Sequence, residues 1–201
     1  DKVDDNLKYE AGGGNAVRGI FSGGYLGGNT HKNTIDYVTF ASQGNAIDFG
    51  DRTFTGSYSS AVSNSVRVVN AGAFTPSSGN YMEYVTIATT GDSEDFGDLS
   101  AAKMNTAAVG SGTRAVFGGG YTSNPHINSL EYVEFATKGN VTDFGDLSTG
   151  GGDRGATSNN IRGIFGGQFS GSSPNRLNNI EYITIASTGN ATDYGDLTET
   201  R

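Results

Sequence analysis

Arg162-Gly-Ile-Phe-Gly-Gly167, Ile180-Glu-Tyr-Ile-Thr-Ile-Ala186 and Thr192-Asp-Tyr-Gly-Asp-Leu197 are three segments that recur, in this order, four times along the 201-residue chain. The arginine that opens each copy recurs at intervals of 49, 47 and 48 residues. A period of this length, in segments rich in β-branched and aromatic residues, is typical of β-propeller blades or a similar array. The repeat therefore predicts an all-β fold in which each copy forms one unit.

Each repeat divides into four short strands. The first is built from small residues, as in Thr106-Ala-Ala-Val-Gly110, which suit places where neighbouring sheets approach closely. The second follows the arginine and ends at Gly-Gly or Ala-Gly. The third carries β-branched and aromatic residues at both odd and even positions, which point to opposite faces of a strand. This pattern is typical of a strand covered on both faces. A turn containing Gly and Asn or Asp leads into the fourth, which carries Asp-Phe/Tyr-Gly-Asp.

We therefore predict a β-propeller of four four-stranded antiparallel blades with about 48 residues per repeat. The single domain covers residues 1–201, and its blades span approximately 7–52, 53–99, 100–147 and 148–197. Residues 1–3 align with the Gly-Asp-Leu that ends a repeat, so two arrangements fit: a closed ring of four blades, or a segment of a longer array. Because open sheet edges favour aggregation, we predict the closed ring.

The spacing of the repeat separates a constant frame from a variable loop. The third-strand acid and the last Asp of the fourth strand are always fifteen residues apart, whereas the distance from the arginine to that acid is 18, 16, 17 and 19 residues. All length variation thus falls in the connection between strands two and three. Since loops held by a rigid frame often carry function, we expect any binding site on that face.

Composition narrows the classes of function. The net charge of −8 argues against nucleic acid as a partner, because phosphate binding needs clustered Lys and Arg. No apolar run approaches the roughly 18 residues needed to span a bilayer, and the acidic start does not resemble a signal peptide, so we expect a soluble chain without membrane insertion. The absence of cysteine excludes disulfides and fits folding in a reducing cytoplasm.

The Gly-Gly after a strand, the Tyr of the next strand and an aromatic before a Leu resemble kelch-type repeats of the galactose-oxidase-like β-propellers. The stretch from Arg162 to Leu197 more closely resembles a repeat of marine bacteriophage virion and tail-fibre proteins. The resemblance covers the whole chain in four copies; the second departs most, with Asn70 where the others have Phe and Ala71 in place of the first Gly.

This resemblance implies a non-enzymatic β-propeller module of a phage-like virion or tail fibre, used for assembly or host-surface attachment. Its partners would be other virion or fibre subunits and cell-surface glycans, without a cofactor. Its location would be the virion, or outside the cell after assembly in a reducing cytoplasm. Two alternatives stay open: a carbohydrate-binding lectin that uses the variable loops, and a structural repeat protein of a larger fibre or ring.

Eight residues of the variable loops are candidates for ligand binding. Seven residues after each arginine comes an aromatic, and four residues before the apolar residue that opens the third-strand motif comes a polar side chain. They are Tyr25, Phe74, Tyr121 and Phe169, with His31, Ser78, His126 and Arg176. Aromatic rings here could stack on sugar rings, or they could plug the ends of the blades.

The periodic charged residues favour a structural role. We predict that Arg18, Arg67, Arg114 and Arg162 form a repeated internal ion pair; a row of arginines that binds an anion is the alternative. The partner acid is open between the third strand and the fourth. We predict no catalytic residue and no metal: carboxylate pairs such as Asp143 and Asp146 are sparser than calcium loops, and two histidines are too few for a catalytic zinc.

Overall fold

The computed structural model describes residues 10–28, 30–122, 126–171 and 173–201, and this part of the chain contains sixteen β-strands and no helix. The strands form four separate antiparallel sheets, each with its four strands in chain order. The all-β class and the four-stranded antiparallel repeat are thus confirmed. Residues 1–3, and the first three residues of the predicted first blade, lie outside the described ranges.

The sheets are named in chain order. Sheet 1 contains β1 (Ala11–Gly14), β2 (Arg18–Ser22), β3 (Thr34–Thr39) and β4 (Ile47–Asp51). Sheet 2 contains β5 (Ser60–Ser63), β6 (Arg67–Thr75), β7 (Ser77–Thr86) and β8 (Glu94–Asp98). Sheet 3 contains β9 (Ala107–Gly110), β10 (Arg114–Gly118), β11 (Ser129–Glu134) and β12 (Thr142–Asp146). Sheet 4 contains β13 (Gly155–Ser158), β14 (Arg162–Phe169), β15 (Arg176–Thr184) and β16 (Thr192–Asp196).

A short polar side chain closes the turn between the first two strands of each sheet. In sheet 1 the Asn15 Oδ1 atom accepts hydrogen bonds from the backbone N–H groups of Val17 and Arg18, at 2.8 and 3.0 Å. Asn64 and Asn159 make the same pair of bonds in sheets 2 and 4. Because the side chain replaces a backbone acceptor, the arginine enters the second strand at the same place each time.

Successive sheets pack face to face, with their first strands adjacent: β1 lies against β5, β5 against β9, and β9 against β13. Small residues permit this approach. A Cβ atom added to Gly13 would come within 2.7 Å of the Val68 side chain of sheet 2, and one added to Gly110 of sheet 3 within 2.7 Å of the Val62 side chain of sheet 2. The predicted use of small first-strand residues for close packing therefore holds at these junctions.

Three apolar clusters fill the spaces between sheets. Between sheets 3 and 4, for example, Leu130, Phe144 and Leu147 pack against Phe165 and Ile185, and all five are at most 2% exposed. Equivalent clusters lie between sheets 1 and 2 and between sheets 2 and 3. The core is thus a series of inter-sheet layers, and each inner sheet is covered on both faces.

The outer rim of each junction is held by three hydrogen bonds. Between sheets 3 and 4, the Gly189 and Ala191 N–H groups donate to the carbonyls of Phe144 and Asp146, at 2.6 and 2.8 Å. The Asp146 N–H donates to Asn190 Oδ1 at 3.0 Å. The same three bonds recur at the two earlier junctions, with Asp92 in place of the asparagine at the first. Asp-Phe-Gly-Asp therefore acts here as a junction between sheets.

The prediction of a closed ring is wrong: in the described part of the chain the packing runs from sheet 1 to sheet 4 in order, and sheet 4 does not pack on sheet 1. Several exposed aromatic side chains lie on the two end sheets. Phe21 and Phe40 of sheet 1 are 43% and 66% exposed, and Tyr194 of sheet 4 is 55% exposed. The cost of open sheet edges does not by itself close a ring. Closure also requires that the rotations from each sheet to the next add up to a full turn.

The rim contact gives a paired test at two glycines with similar backbone geometry. Gly145 and Gly195 have φ values of 142° and 133°, but a Cβ atom on Gly145 would lie 2.4 Å from the Gly189 carbonyl oxygen, whereas one on Gly195 would meet no atom of the described residues within 4 Å. Both substitutions to Ala incur backbone strain of about 1–3 kcal/mol. We expect Gly145→Ala to lose a further ~1–3 kcal/mol in urea unfolding because sheet 4 must shift. Equal losses would show that the rim contact is unimportant.

Candidate functional site

The connections between the second and third strands lie on one rim of the array and alternate in form. In sheets 1 and 3 the second strand ends at Ser22 and Gly118, and a longer connection follows. In sheets 2 and 4 the strands continue further, to Phe74–Thr75 and to Phe169, across a register shift. A long connection therefore lies next to an extended hairpin at the first junction and again at the third.

At the first junction four rings meet. The His31 ring lies 5.2 Å from Tyr25 of its own connection and 5.6 Å from Phe74 of sheet 2, centroid to centroid. The Phe74 and Tyr58 rings form a T-shaped pair with their centroids 6.2 Å apart. The His31 Nδ1 atom is 3.0 Å from Ser57 Oγ, so the imidazole is oriented by a hydrogen bond. We name this group the first cluster.

The third junction repeats the arrangement. The His126 ring lies 5.1 Å from Tyr121 and 5.6 Å from Phe169, with interplanar angles close to those of the first cluster. The Arg176 guanidinium lies 5.4 Å from the Phe169 ring centroid. The His126 Nε2 atom is buried and has no hydrogen-bond partner among the described residues. We name this group the second cluster.

All eight predicted ligand residues thus gather at these two places. Ser78 pairs with Phe74 across the β6–β7 hairpin, and Arg176 pairs with Phe169 across the β14–β15 hairpin. Tyr25, His31, Phe74 and Ser78 form one set; Tyr121, His126, Phe169 and Arg176 form the other. Ligand binding by these residues stays a prediction.

The clusters have both packing and binding capacity. Their rings are half-buried and make edge contacts across a junction, so each cluster joins two sheets at the loop rim. The partly exposed ring faces, and the exposed Arg176 beside them, could contact a sugar or a protein surface. In the described ranges no group of three or more His, Asp or Glu side chains is placed to hold a metal ion.

Among the described residues, the four repeated arginines do not form the predicted series of ion pairs. Each guanidinium instead lies over the third-strand Tyr of its own sheet, with distances to the ring centroid of 4.2–4.7 Å. The pairs are Arg18 with Tyr37, Arg67 with Tyr84, Arg114 with Tyr132, and Arg162 with Tyr182. Of the four, Arg114 forms an ion pair within the described residues, with Glu134 at 2.9 Å.

Strand register explains why the arginines lie far from the third-strand acids. Arg18 pairs with Thr39 across β2–β3, whereas the acid Asp36 pairs with Phe21, three positions further along the ladder. At about 3.3 Å per residue, that offset places the arginine and the acid roughly 10 Å apart along the strands. The guanidinium points instead to the next sheet: Arg18 and Arg114 donate to the carbonyls of Ile87 and Ile185, at 2.8 and 2.9 Å. Arg67 donates to the Phe135 carbonyl.

The third-strand acids bind different cations, which the sequence analysis missed. Glu83 pairs with Arg52, Glu131 with Lys103 at 2.9 Å, and Glu181 with Arg154 at 3.3 Å. All six side chains are at most 4% exposed. Each cation comes from the segment that links one sheet to the next, so each pair fixes that segment against the following sheet.

A signal for these pairs is present in the sequence. Between the last Asp of one repeat and the arginine of the next there is one basic residue in each linker: Arg52, Lys103 and Arg154. Their distances from that Asp differ, at 1, 5 and 8 residues, so they do not follow the period. The number of basic residues in each linker identifies these three cations, whereas the comparison of aligned positions does not.

Neither comparison with protein-family models nor comparison with curated proteins finds a match to this chain. Within the described ranges there is also no helix of the length and apolarity that a membrane span requires.

Proposed function

We propose that this chain is a non-enzymatic β-propeller module of a phage-like virion or tail fibre, used for assembly or host-surface attachment, with its four sheets as the blades. One observation carries the proposal: a frame of repeated contacts holds two aromatic and histidine clusters on a single rim, where the connections vary in length. A rigid frame with variable loops on one rim is the usual arrangement of a binding module.

The charged residues support a role in contact rather than in catalysis. The three buried glutamates are each neutralised by a linker cation, and Glu83 also accepts hydrogen bonds from Thr53 and Ser93. The repeated arginines bind aromatic rings, and three of them also bind carbonyls of the next sheet. These groups hold the sheets together, and the loop rim remains as the surface that differs between repeats.

Location tests the virion role. Antibodies raised against the purified chain are applied to phage particles from a culture that produces it, and the particles are examined by immunogold electron microscopy and peptide mass spectrometry. We expect label at a fixed structure of the particle and peptides at a defined copy number. Particles that lack the chain, alongside abundant chain in the lysate, would contradict the virion role.

A lectin is the second candidate, favoured by the partly exposed rings of the two clusters. If they bind glycans, we expect Tyr25→Ala with Tyr121→Ala to weaken binding on a glycan array at least tenfold, because stacked rings supply roughly 1–3 kcal/mol each. Tyr81→Ala is the matched control, since Tyr81 is 45% exposed and belongs to neither cluster. Equal binding by all three proteins would place the glycan elsewhere; no binding by the wild type would remove the lectin role.

A further inference from the structure

The two ends of the array expose surfaces that are buried at every internal junction. The forward face of a sheet packs on the next sheet, and the rear face on the one before. On forward faces, Phe49, Phe96 and Phe144 are 1–2% exposed, whereas the equivalent Tyr194 of sheet 4 is 55% exposed. On rear faces, Ile87, Phe135 and Ile185 are 1–2% exposed, whereas the equivalent Phe40 of sheet 1 is 66% exposed.

The forward face of sheet 4 contains an apolar cavity that has a filled counterpart inside the molecule. At the junction of sheets 3 and 4 the fully buried Phe165 ring packs over Gly118 and beside Leu130. The equivalent site on sheet 4 is an open cavity of about 380 Å³. Its lining includes Ile164, Gly166, Ile180 and Leu197. The residue equivalent to Phe165 in the first sheet of a chain is Phe21, which is 43% exposed.

The polar groups of the two ends are also complementary. At internal junctions the turn before each fourth strand donates two N–H groups to carbonyls of the fourth strand of the preceding sheet, and one side chain of the turn accepts a hydrogen bond from an N–H of that strand. The corresponding donors on sheet 1 are the Gly44 and Ala46 N–H groups, with Asn45 as the acceptor side chain. The corresponding partners on sheet 4 are the Tyr194 and Asp196 carbonyls and the Asp196 N–H.

Two charged positions continue the same pattern. Arg18, Arg67 and Arg114 each donate to a carbonyl of the next sheet, and the fourth, Arg162, is exposed. The carbonyls that accept these bonds belong to Ile87, Phe135 and Ile185, and the residue at the same position of sheet 1 is Phe40. Arg201 follows Leu197 by four residues, as Lys103 follows Leu99, and lies over Gly167.

The acid that would receive Arg201 is Asp36, the sheet 1 counterpart of the buried glutamates. Within the described residues Asp36 has no ion pair, and burial, followed by the nearby Asp48 carboxylate, raises its pKa. Apolar shape, backbone hydrogen bonds and charge thus all match between the last sheet and the first.

We propose that a second copy of this chain docks head to tail, with the rear face of its sheet 1 on the forward face of sheet 4. Phe21 of the second copy fills the cavity, its Phe40 carbonyl accepts from Arg162, and its Asp36 pairs with Arg201. Such an interface is heterologous: two copies form a ring if the rotation closes, and a chain of copies if it does not. The inference does not depend on the virion role.

A disulfide across the proposed interface tests it directly, because the chain contains no cysteine. At the internal junction Asp146 and Asn190 are adjacent, with the Asp146 N–H 3.0 Å from the Asn190 Oδ1 atom. Adjacent positions of this kind suit a disulfide, which needs Cα atoms about 4.4–6.8 Å apart. The equivalent positions between copies are Asp196 and Asn45. We expect N45C/D196C to oxidise to a product of twice the chain mass or to a ladder of multiples.

Two control variants calibrate that result. D146C/N190C should form an intramolecular disulfide, and N45C/T137C, with two exposed positions that the interface does not bring together, should crosslink much more slowly. A disulfide of N45C/D196C within one chain would overturn the second copy and show that a single chain closes on itself. Crosslinking no faster than in N45C/T137C would overturn the interface altogether.

Mixing of variants provides a second measurement. Phe40→Asp and Tyr194→Asp each place a charge on one end only, at side chains exposed enough to leave the single chain folded. Ultracentrifugation should give assemblies for wild type and for the control Thr137→Asp, and the mass of one chain for each end variant. Mixed in equal amounts, the end variants should recover pairs, because each retains the end that the other lacks. A wild type with the mass of one chain at all concentrations would contradict the proposal.

Discussion

Replacement of Glu131 by Ala is expected to destabilise the protein by about 3–5 kcal/mol, because it leaves a buried ammonium without its partner. Lys103 is fully buried, and its Nζ atom lies 2.9 Å from the Glu131 carboxylate. An ionised group taken out of water is tolerated when it is paired, and removal of one partner exposes the whole desolvation cost. Since a domain of this size has a free energy of unfolding of roughly 5–15 kcal/mol, the loss would be a large part of it.

Urea unfolding followed by circular dichroism measures this effect. Glu94→Ala is the matched control: it removes the same side chain from the exposed Glu94–Lys138 pair, and we expect no measurable change in the midpoint. A double variant, Lys103→Met with Glu131→Leu, should recover most of the loss, since two apolar side chains of similar volume replace the buried pair. A Glu131→Ala protein as stable as wild type would show that Lys103 finds water or another acceptor.

Phe165→Ala is expected to cost about 3–5 kcal/mol, the usual range for removal of a buried aromatic side chain. The Phe165 ring is fully buried between sheets 3 and 4, where it packs against Leu130. Loss of the ring leaves a cavity between two sheets that are joined to each other at a single junction. We expect both a lower midpoint and earlier separation of sheet 4, visible as hydrogen exchange of β14 and β15 amides.

Phe21→Ala is the control for Phe165→Ala, because Phe21 occupies the same position in sheet 1 and is 43% exposed. At concentrations where the chain is a monomer, Phe21→Ala should cost much less than Phe165→Ala. At concentrations where copies associate, the two losses should become more similar, because Phe21 is then buried by its neighbour. Equal losses in the monomer would mean that sheet 1 is covered by something other than a second copy.

The strands could be predicted from sequence because they depend on local signals. β9, for instance, covers Ala107–Gly110, within the predicted stretch of small residues from Thr106 to Gly110, and an Asn or Ser turn fixes where each arginine strand starts. The four sheets follow from the fixed period, since copies with the same pattern fold in the same way. The number of repeats does not determine closure, which depends on a rotation between sheets that no residue pattern expresses.

The partners of the charged residues could not be predicted, for a related reason. The periodic arginines and the periodic acids are natural partners in an alignment, yet ladder register separates Arg18 from Asp36. The true cations, such as Lys103, lie in linkers that follow no strand period, and their reach depends on how each linker crosses to the next sheet. The eight loop residues could be singled out from sequence because they occur at fixed distances from the strands, but their assembly into two clusters depends on how neighbouring sheets pack.

The rim bonds between sheets have a consequence for how such a chain can change over generations. Each junction joins the fourth strand of one unit to the turn of the next through main-chain groups and one short side chain, whichever units are involved. A gene that gained or lost one unit of about 48 codons by unequal recombination would encode a protein whose new neighbours still match. The number of repeats in this architecture can therefore change while the hydrogen bonds between neighbouring repeats stay the same.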